Sequence, residues 1–522
     1  MNEFPLLTLL TLLPLIAGVI VIALGDRNKS VPRNLALGIN ILTLAFTLFL
    51  WSSFDSTSGS LQFEERHLWI PTLGIEYRVA IDGLGLLMLL LTAIITPMAI
   101  IASGSESPGA ARPANSLYFG LILFLQGGLF GTFTALNFFH WFLFWELSLI
   151  PAFFLVRLWG GPLRAAAATQ FFVYTMIGSI GLLLSFLAIF LATGHVSDFT
   201  ALAEMARNGE LIPALTSNLA WFGFSPQALT SVIFFGALLG FAVKVPLFPF
   251  HTWLPATYAE APSSVSMTLT GVMSKMGVYG FLRILLPIFP EQMRAALTPL
   301  LWLAVATIIF SAYAAFAQKD LKRIIAYSSI NHLGYCLLGL FAVMKYSEGD
   351  LLNEKAAALN GVILQMFNHG ITAAALFCFV GILEKRSGGI RGLNDFGGLR
   401  KVAPVFCGLM GISIFSSLGL PGLNGFVGEF LIFKGVFSLT AWAASLSTLG
   451  LLVTAIFLLT ILQRVFTGPV NPKWNSFADL TLAERLTVAP AIALMFVLGI
   501  FPQILIGVIN PTILAMLQRF NF

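Results

Sequence analysis

The sequence predicts an all-α polytopic membrane protein of about fourteen transmembrane helices, with two inverted five-helix repeats and broken helices 7 and 12. Three observations carry that reading. Apolar residues make up 58% of the 522 positions and charged residues only 10%, against roughly 25% charged in a soluble domain. Fourteen apolar runs are long enough to cross a bilayer, which takes about 20 residues for roughly 30 Å of hydrocarbon. Two of those runs, five apart, are interrupted by proline and glycine close to an ionisable residue. The composition excludes a cytosolic enzyme, a nucleic-acid binder and a disordered scaffold.

The runs lie near 5–24, 32–52, 80–102, 115–134, 136–158, 166–192, 228–253, 261–285, 297–316, 322–344, 357–383, 401–432, 444–466 and 486–509. Helices are the default, because backbone N–H and C=O groups in lipid must pair within their own segment. A β-barrel would need short alternating segments instead. Pro5 to Leu24 is expected to be a span rather than a signal peptide, since Met1–Glu3 carries no positive charge. The connectors Ser53–Val79 and Gly194–Gln227 are polar and mixed in charge, and the second has room for a short surface helix. Glu384–Lys401, with Ser387-Gly388-Gly389 and Gly397-Gly398, reads as a flexible linker rather than a domain boundary. One membrane domain, 1–522, is therefore expected: three N-terminal helices in 1–110, repeats in 111–290 and 295–470, and a C-terminal helix in 480–522. Cys336, Cys378 and Cys407 sit in apolar runs at unrelated spacings and read as inert packing residues, without a disulfide or metal.

The net charge of +5 is spread thinly. Of 28 Lys and Arg, about seventeen follow odd-numbered runs, among them Arg27, Lys29, Arg33, Lys319, Lys322, Arg323, Lys385, Arg386, Arg391, Arg400 and Lys401, and about nine lie elsewhere. Both termini are thus expected to face away from the cytoplasm. Two bases remain inside runs, Lys244 and Lys275, and two acids share that property, Glu146 and Glu429. A charge at mid-bilayer costs roughly 2.5–3.5 kcal/mol even on a lenient insertion scale, so its presence points to function. Two acids and two bases at comparable depth suit proton exchange, because small changes nearby decide whether a desolvated lysine carries its proton. A static ion pair is the alternative. Imidazoles titrate near neutral pH and extend such a chain. His332 and His369 are well inside their runs, and both are candidates for the relay. His251 is near a run's end, where a structural hydrogen bond or an access role competes with it, and His140 beside Trp141 reads as an interfacial anchor. No histidine pair has metal-ligand spacing with a carboxylate nearby, so no metal is expected.

Pro246 and Pro249 follow Lys244 by two and five residues. Each removes an amide hydrogen and frees a carbonyl four residues back, those of Ala242 and Val245. Such carbonyls persist in a membrane only where protein or water reaches them, which predicts hydration beside Lys244. Ser416-Ser417-Leu418-Gly419-Leu420-Pro421-Gly422-Leu423-Asn424-Gly425 repeats the break, with Glu429 shortly after it. Paired interrupted spans beside buried charges are the pattern of inverted-repeat transporters, with segments four to eight matching nine to thirteen. Two unrelated proline kinks are the alternative.

Several stretches resemble the antiporter-like proton-pumping subunits of the complex I and photosynthetic NDH-1 family. They are Trp145-Glu146-Leu147 through Ile150-Pro151, Ala242-Val243-Lys244-Val245-Pro246, His251-Thr252-Trp253-Leu254-Pro255, Ser274-Lys275-Met276-Gly277, Leu321-Lys322-Arg323-Ile324-Ile325-Ala326-Tyr327-Ser328-Ser329 and Pro421-Gly422-Leu423-Asn424-Gly425-Phe426. The resemblance runs from about residue 80 to 510, and Glu429, where other members have lysine, is similar to the subunit M (chain 4) type. It implies a non-redox, proton-translocating subunit of an NAD(P)H- or ferredoxin-dependent quinone oxidoreductase. Glu146 would pair with Lys244, Lys275 would be the central lysine, His332 would bridge the halves and Glu429 would be the terminal carrier. His251, His369, Pro246 and Pro421 would support them. The chain itself would bind no cofactor; quinone and iron-sulfur centres would sit in partner subunits. Its neighbours would be other antiporter-like membrane subunits and lipids. A bacterial plasma membrane and a thylakoid membrane with plastoquinone are both open, as is a cyanobacterial variant linked to CO2 uptake. The alternative is a subunit of a multi-subunit cation/proton antiporter.

Overall fold

A computed structural model describes residues 4–26, 30–104, 114–219, 223, 225–345 and 351–519. Met1–Glu3, and Arg27 and Lys29 of the first basic loop, lie outside the described residues. The chain is mostly helical. The main helices begin with α1 (Leu6–Leu24), α2 (Val31–Ser53), α3 (Gly83–Ser103), α4 (Asn115–Thr134), α5 (Phe138–Trp159) and α6 (Arg164–Ala192). They continue with α7 (Pro226–Lys244), α8 (Ser263–Ile288), α9 (Leu297–Ala317), α10 (Leu321–Ala342) and α11 (Leu352–Arg386). The last are α12 (Pro404–Ser417), α13 (Asn424–Leu439), α14 (Ala441–Phe466), α15 (Leu482–Ile500) and α16 (Gln503–Arg519). Among the described residues thirteen helices are long and apolar enough to cross a membrane. The expected twelfth span is present as two shorter helices, α12 and α13, joined by the Gly/Pro turn.

Both breaks expected from the sequence are present. α7 stops at Lys244, and the chain re-enters helix at Trp253–Glu260. Of the two carbonyls freed by proline, that of Ala242 finds a protein donor, and so does the neighbouring carbonyl of Val243. The Leu247 amide donates to the Ala242 carbonyl at 2.9 Å, and the Trp253 indole donates to the Val243 carbonyl at 3.0 Å. The inferred need for hydration at Ala242 is thereby removed. Prolines inside α1, α3, α5, α15 and α16 are carried without a break, as neighbouring helices permit in membrane bundles.

Two connectors differ from the sequence reading. Ser53–Val79 holds an antiparallel hairpin, β1 (Gln62–Ile70) and β2 (Ile75–Ile81). β1 is polar on both faces, with register shifts near both ends, whereas Ile75-Glu76-Tyr77-Arg78-Val79 of β2 carries a period-two pattern that the sequence reading passed over. It is fastened by Arg78, which reaches Glu64 at 2.7 Å and Asp198 at 2.8 Å. Glu65 accepts from the Leu7 and Thr8 amides at the start of α1, where the helix leaves donors unpaired. Gly194–Gln227 contains two short helices, Phe199–Arg207 and Leu211–Asn218, where one was allowed for. The first is capped by Asp198, whose carboxylate accepts from Thr200 and Ala201 amides.

On the opposite face the basic connectors are knitted together. Arg391, in the linker after α11, lies 3.0 Å from Asp320 and 3.6 Å from both Glu384 and Glu260, and Lys322 lies 2.7 Å from Glu384. Glu384–Lys401 is therefore an anchored strap and not a free linker. His140 is also repositioned: it is buried beneath the hairpin, its ring 4.6 Å from that of Tyr77 and 4.9 Å from that of Phe144, rather than sitting at an exposed boundary.

Burial is uneven, and the unevenness places the site. In the apolar stretch of α11 every residue is buried, and in α8 and α10 94% are, against 28% in α2 and α15. The three enclosed helices are the ones that carry Lys275, His332 and His369. Glycine sets their spacing. A Cβ on Gly370 of α11 would come within 2.6 Å of the Gly271 carbonyl of α8, and one on Gly428 of α13 within 2.9 Å of the Gln365 amide of α11. Backbones approach this closely only where side chains are absent.

Candidate functional site

α8 is not a regular α-helix. π-helical turns at Leu269–Met273 and Phe281–Leu285 flank a short α segment that starts at Lys275. A π turn shifts the hydrogen-bond ladder and frees backbone groups locally, often at functional positions. Here the Thr270 carbonyl accepts from Lys275 Nζ at 2.5 Å. The same ammonium lies 3.4 Å from Ser274 Oγ and 2.8 Å from His369 Nδ1. Lys275 is fully buried, so these three acceptors take the place of water around a group that has three donors. While Lys275 is protonated it donates to His369 Nδ1, which is then the unprotonated ring nitrogen.

The chain of groups continues along α11 and α10. The His369 and His332 rings lie 5.1 Å apart, centre to centre. His332 Nε2 lies 3.1 Å from Ser417 Oγ, at the end of α12. His332 Nδ1 faces two partners, the Gln365 amide nitrogen at 3.2 Å and Glu429 Oε1 at 3.0 Å. Gln365 Nε2 also donates to Glu429 Oε1 at 3.1 Å. A neutral Nδ1 accepts from Gln365; a protonated Nδ1 donates to Glu429. The arrangement thus serves both charge states of the imidazole with little rearrangement. Glu429 is buried, and its second oxygen lies beside Gly419, whose φ of +78° belongs to the turn between α12 and α13. The break brings backbone, Ser417 and carboxylate to one place. It is held from α11: Asn368 Nδ2 donates to the Asn424 carbonyl at 2.7 Å, and Thr372 Oγ1 lies 3.1 Å from Ser416 Oγ.

The other end is looser. Lys244 is buried, with its ammonium 4.9 Å from the centre of the Trp145 ring. A desolvated cation over an indole gains about 2 kcal/mol. Among the described residues Lys244 forms no ion pair, and Glu146 Oε1 is buried without a hydrogen-bond partner. The pair expected from the sequence is therefore not in salt-bridge contact. Ser179 Oγ accepts from the Trp145 indole at 3.1 Å and fixes the ring. A crevice too narrow to admit a water molecule lies beside Lys244, lined also by Trp253, Tyr258, Met273 and Ser274; Lys275 does not line it.

Sequence reasoning named the four buried charges and the two central histidines, and the structure brings Lys275, His369, His332 and Glu429 into one string. His251 stands apart, half-buried and stacked on Phe248 at 5.5 Å, with Nδ1 unpartnered. Pro246 sits in the break next to Lys244, whereas Pro421 is exposed in the second turn and touches none of the string. Gln365, Ser417 and the Thr270 carbonyl were missed. Gln365 was findable: it lies one turn before His369 on the same face of α11. Among the described residues no cluster of His, Cys, Asp and Glu could hold a metal.

The sequence matches the family described as NADH:quinone oxidoreductase/Mrp antiporter, transmembrane, over residues 135–456. NADH-quinone oxidoreductase subunit M of Rickettsia bellii is 32% identical over all of both chains. The F(420)H(2) dehydrogenase subunit M of Methanosarcina mazei is 34% identical over 96% of this chain and 95% of that one. Among solved structures, a chain of respiratory complex I from Thermus thermophilus with bound NADH superposes with a TM-score of 0.81 at 26% identity, covering 98% of this chain and 99% of that one. A chain of the Mrp complex from Dietzia shares the fold, with a TM-score of 0.82 at 21% identity over 99% and 97% of the two chains. The chain belongs to the NADH:quinone oxidoreductase/Mrp antiporter transmembrane family.

Proposed function

We propose that this chain is the proton-translocating membrane subunit, of the subunit M type, in a complex I-like quinone oxidoreductase. It carries no redox step. Protons pass between Glu146, Lys244, Lys275, His369, His332 and Glu429 while electrons move in partner subunits that hold the quinone and iron-sulfur sites. The observation that supports this most is the buried string from Lys275 through His369 and His332 to Glu429, with every adjacent pair in hydrogen-bond or ring contact.

The energetics are compatible. Moving one charge against 100 mV takes about 2.3 kcal/mol. Two charges about 4 Å apart at an effective dielectric near 20 interact by about 4 kcal/mol. A change in the Glu146–Lys244 distance is thus large enough to decide whether Lys244 keeps its proton, with separation favouring release toward Lys275. The test is Lys275→Ala in the purified complex reconstituted in vesicles. Quinone reduction should persist while proton translocation falls sharply; pumping at the native level, with native assembly, overturns the proposal.

Two narrower readings are distinguishable. A photosynthetic, ferredoxin-dependent complex in a thylakoid, using plastoquinone or serving CO2 uptake, rests on the resemblance of the sequence alone; it predicts that ferredoxin, and not NADH, drives the purified complex. A cation/proton antiporter subunit is favoured by the shared fold with the Mrp complex; it predicts sodium-dependent proton flux with no electron donor added. The relatives named NADH-quinone oxidoreductase subunit M match end to end, and support the respiratory reading. Loops after odd-numbered spans, rich in Lys and Arg, favour termini away from the cytoplasm.

A further inference from the structure

We propose that a pocket under the hairpin binds the phosphate headgroup of an anionic phospholipid. The pocket lies at the hairpin end of the bundle, far along α8 from Lys275, and plays no part in the relay. It has a volume of about 370 Å³, within the roughly 300–1,000 Å³ of ligand sites. Four arginines from four different elements converge on it: Arg78 of β2, Arg207 of the short helix Phe199–Arg207, Arg283 of α8 and Arg519 of α16.

Their charges are not equally balanced. Arg78 is neutralised by Glu64 and Asp198, and Arg283 by Asp82 at 2.5 Å. Arg207 and Arg519 form no ion pair among the described residues; both are exposed at the rim, with Glu204 the one acid lining the pocket. Deeper in, Arg283 Nε is buried with no hydrogen-bond acceptor. A buried donor without an acceptor is rare in a folded protein and calls for an explanation. This one is sealed from the pocket, and the guanidinium to which it belongs packs over the Tyr279 ring, 5.6 Å from its centre.

The remaining wall is apolar, formed by Leu61, Phe199, Leu282, Pro287 and Met516. It lies where α8 ends and α3 begins, at the level at which a span meets the membrane surface. A small hydrophilic anion has no use for that wall. A phospholipid does: its phosphate can bridge the two unbalanced arginines at the rim, while its glycerol and first methylenes cover the apolar side. Guanidinium forks suit phosphate better than ammonium groups do.

The test uses the full chain with whatever subunits purify with it, stripped of lipid in detergent and titrated in a native mass spectrometer. Phosphatidylglycerol should bind at least tenfold more tightly than phosphatidylcholine. Arg207→Gln with Arg519→Gln should abolish that preference, and Arg207→Lys with Arg519→Lys should retain part of it. Overturning results are equal binding of the two lipids, a preference untouched by the double glutamine variant, displacement of phosphatidylglycerol by an equal concentration of inorganic phosphate, or a neighbouring subunit seen filling the pocket.

Discussion

Lys275 Nζ lies 2.8 Å from His369 Nδ1, across a point where the α8 and α11 backbones are separated by glycine alone. The hydrogen bond and the packing are one feature. Gly271 and Gly370 let the helices close, and the π turn before Lys275 supplies the Thr270 carbonyl as a further acceptor. The spacing is therefore sensitive to one carbon atom. Gly370→Ala should push the helices apart and lower proton pumping by about an order of magnitude, with assembly largely kept; a distortion of about 1 Å near reacting groups can cost that much or more. Gly408→Ala, at a position with nothing within 4 Å of an added Cβ, is the control and should pump normally. Both are read as proton uptake by vesicles at equal protein abundance.

The unformed Glu146–Lys244 ion pair gives a second prediction. Lys244→Ala and Glu146→Ala should each reduce pumping by tenfold or more while leaving assembly nearly intact. Trp145→Leu removes the ring that faces the ammonium and should produce a smaller loss, because about 2 kcal/mol of cation–π stabilisation is withdrawn. Normal pumping in the alanine variants, at native abundance, counts against a relay through Lys244.

At the far end, the requirement is for a titratable group. Glu429→Lys should retain more pumping than Glu429→Ala. Gln365→Ala should shift the pH profile of pumping more than its maximum, since Gln365 donates both to Glu429 and to one charge state of His332. An unchanged profile in Gln365→Ala would remove the glutamine from the account.

Outside the membrane, Asp479 makes a pH-dependent contribution. Its carboxylate is opposed by partial burial, but the amides of Val405, Leu480 and Phe406 outweigh that and hold its pKa below the usual 3.8. A depressed carboxylate stabilises the fold above the unfolded pKa and loses that contribution as pH falls through the folded value. Two of these amides, at 2.9 Å each, open α12. Asp479→Asn should cost about 1 kcal/mol at pH 7, the usual scale for an N-terminal helix cap. The difference should shrink below about pH 4, as thermal unfolding in detergent can measure.

The helices were legible because lipid demands long apolar runs, and the breaks were legible because proline and glycine stand out in them. The buried charges were legible for the same reason: Lys275 is conspicuous in an apolar sequence. What sequence did not disclose is what depends on three-dimensional closeness. The π turns around Lys275 have no marker residues, and the Gly271–Gly370 approach joins positions 99 apart. The hairpin was passed over because its first strand is polar on both faces, although Ile75-Glu76-Tyr77-Arg78-Val79 alternates. The ion pair expected between Glu146 and Lys244 is not formed, and the ammonium faces the Trp145 ring instead, which no spacing encodes.

The most direct measurement is the number of protons translocated per electron pair by the reconstituted complex carrying His369→Leu, a change that fills the same space and removes the only nitrogen in contact with Lys275 among the described residues. The account predicts continued quinone reduction with a lowered proton count. An unaltered count, in a complex assembled as in the wild type, would contradict it.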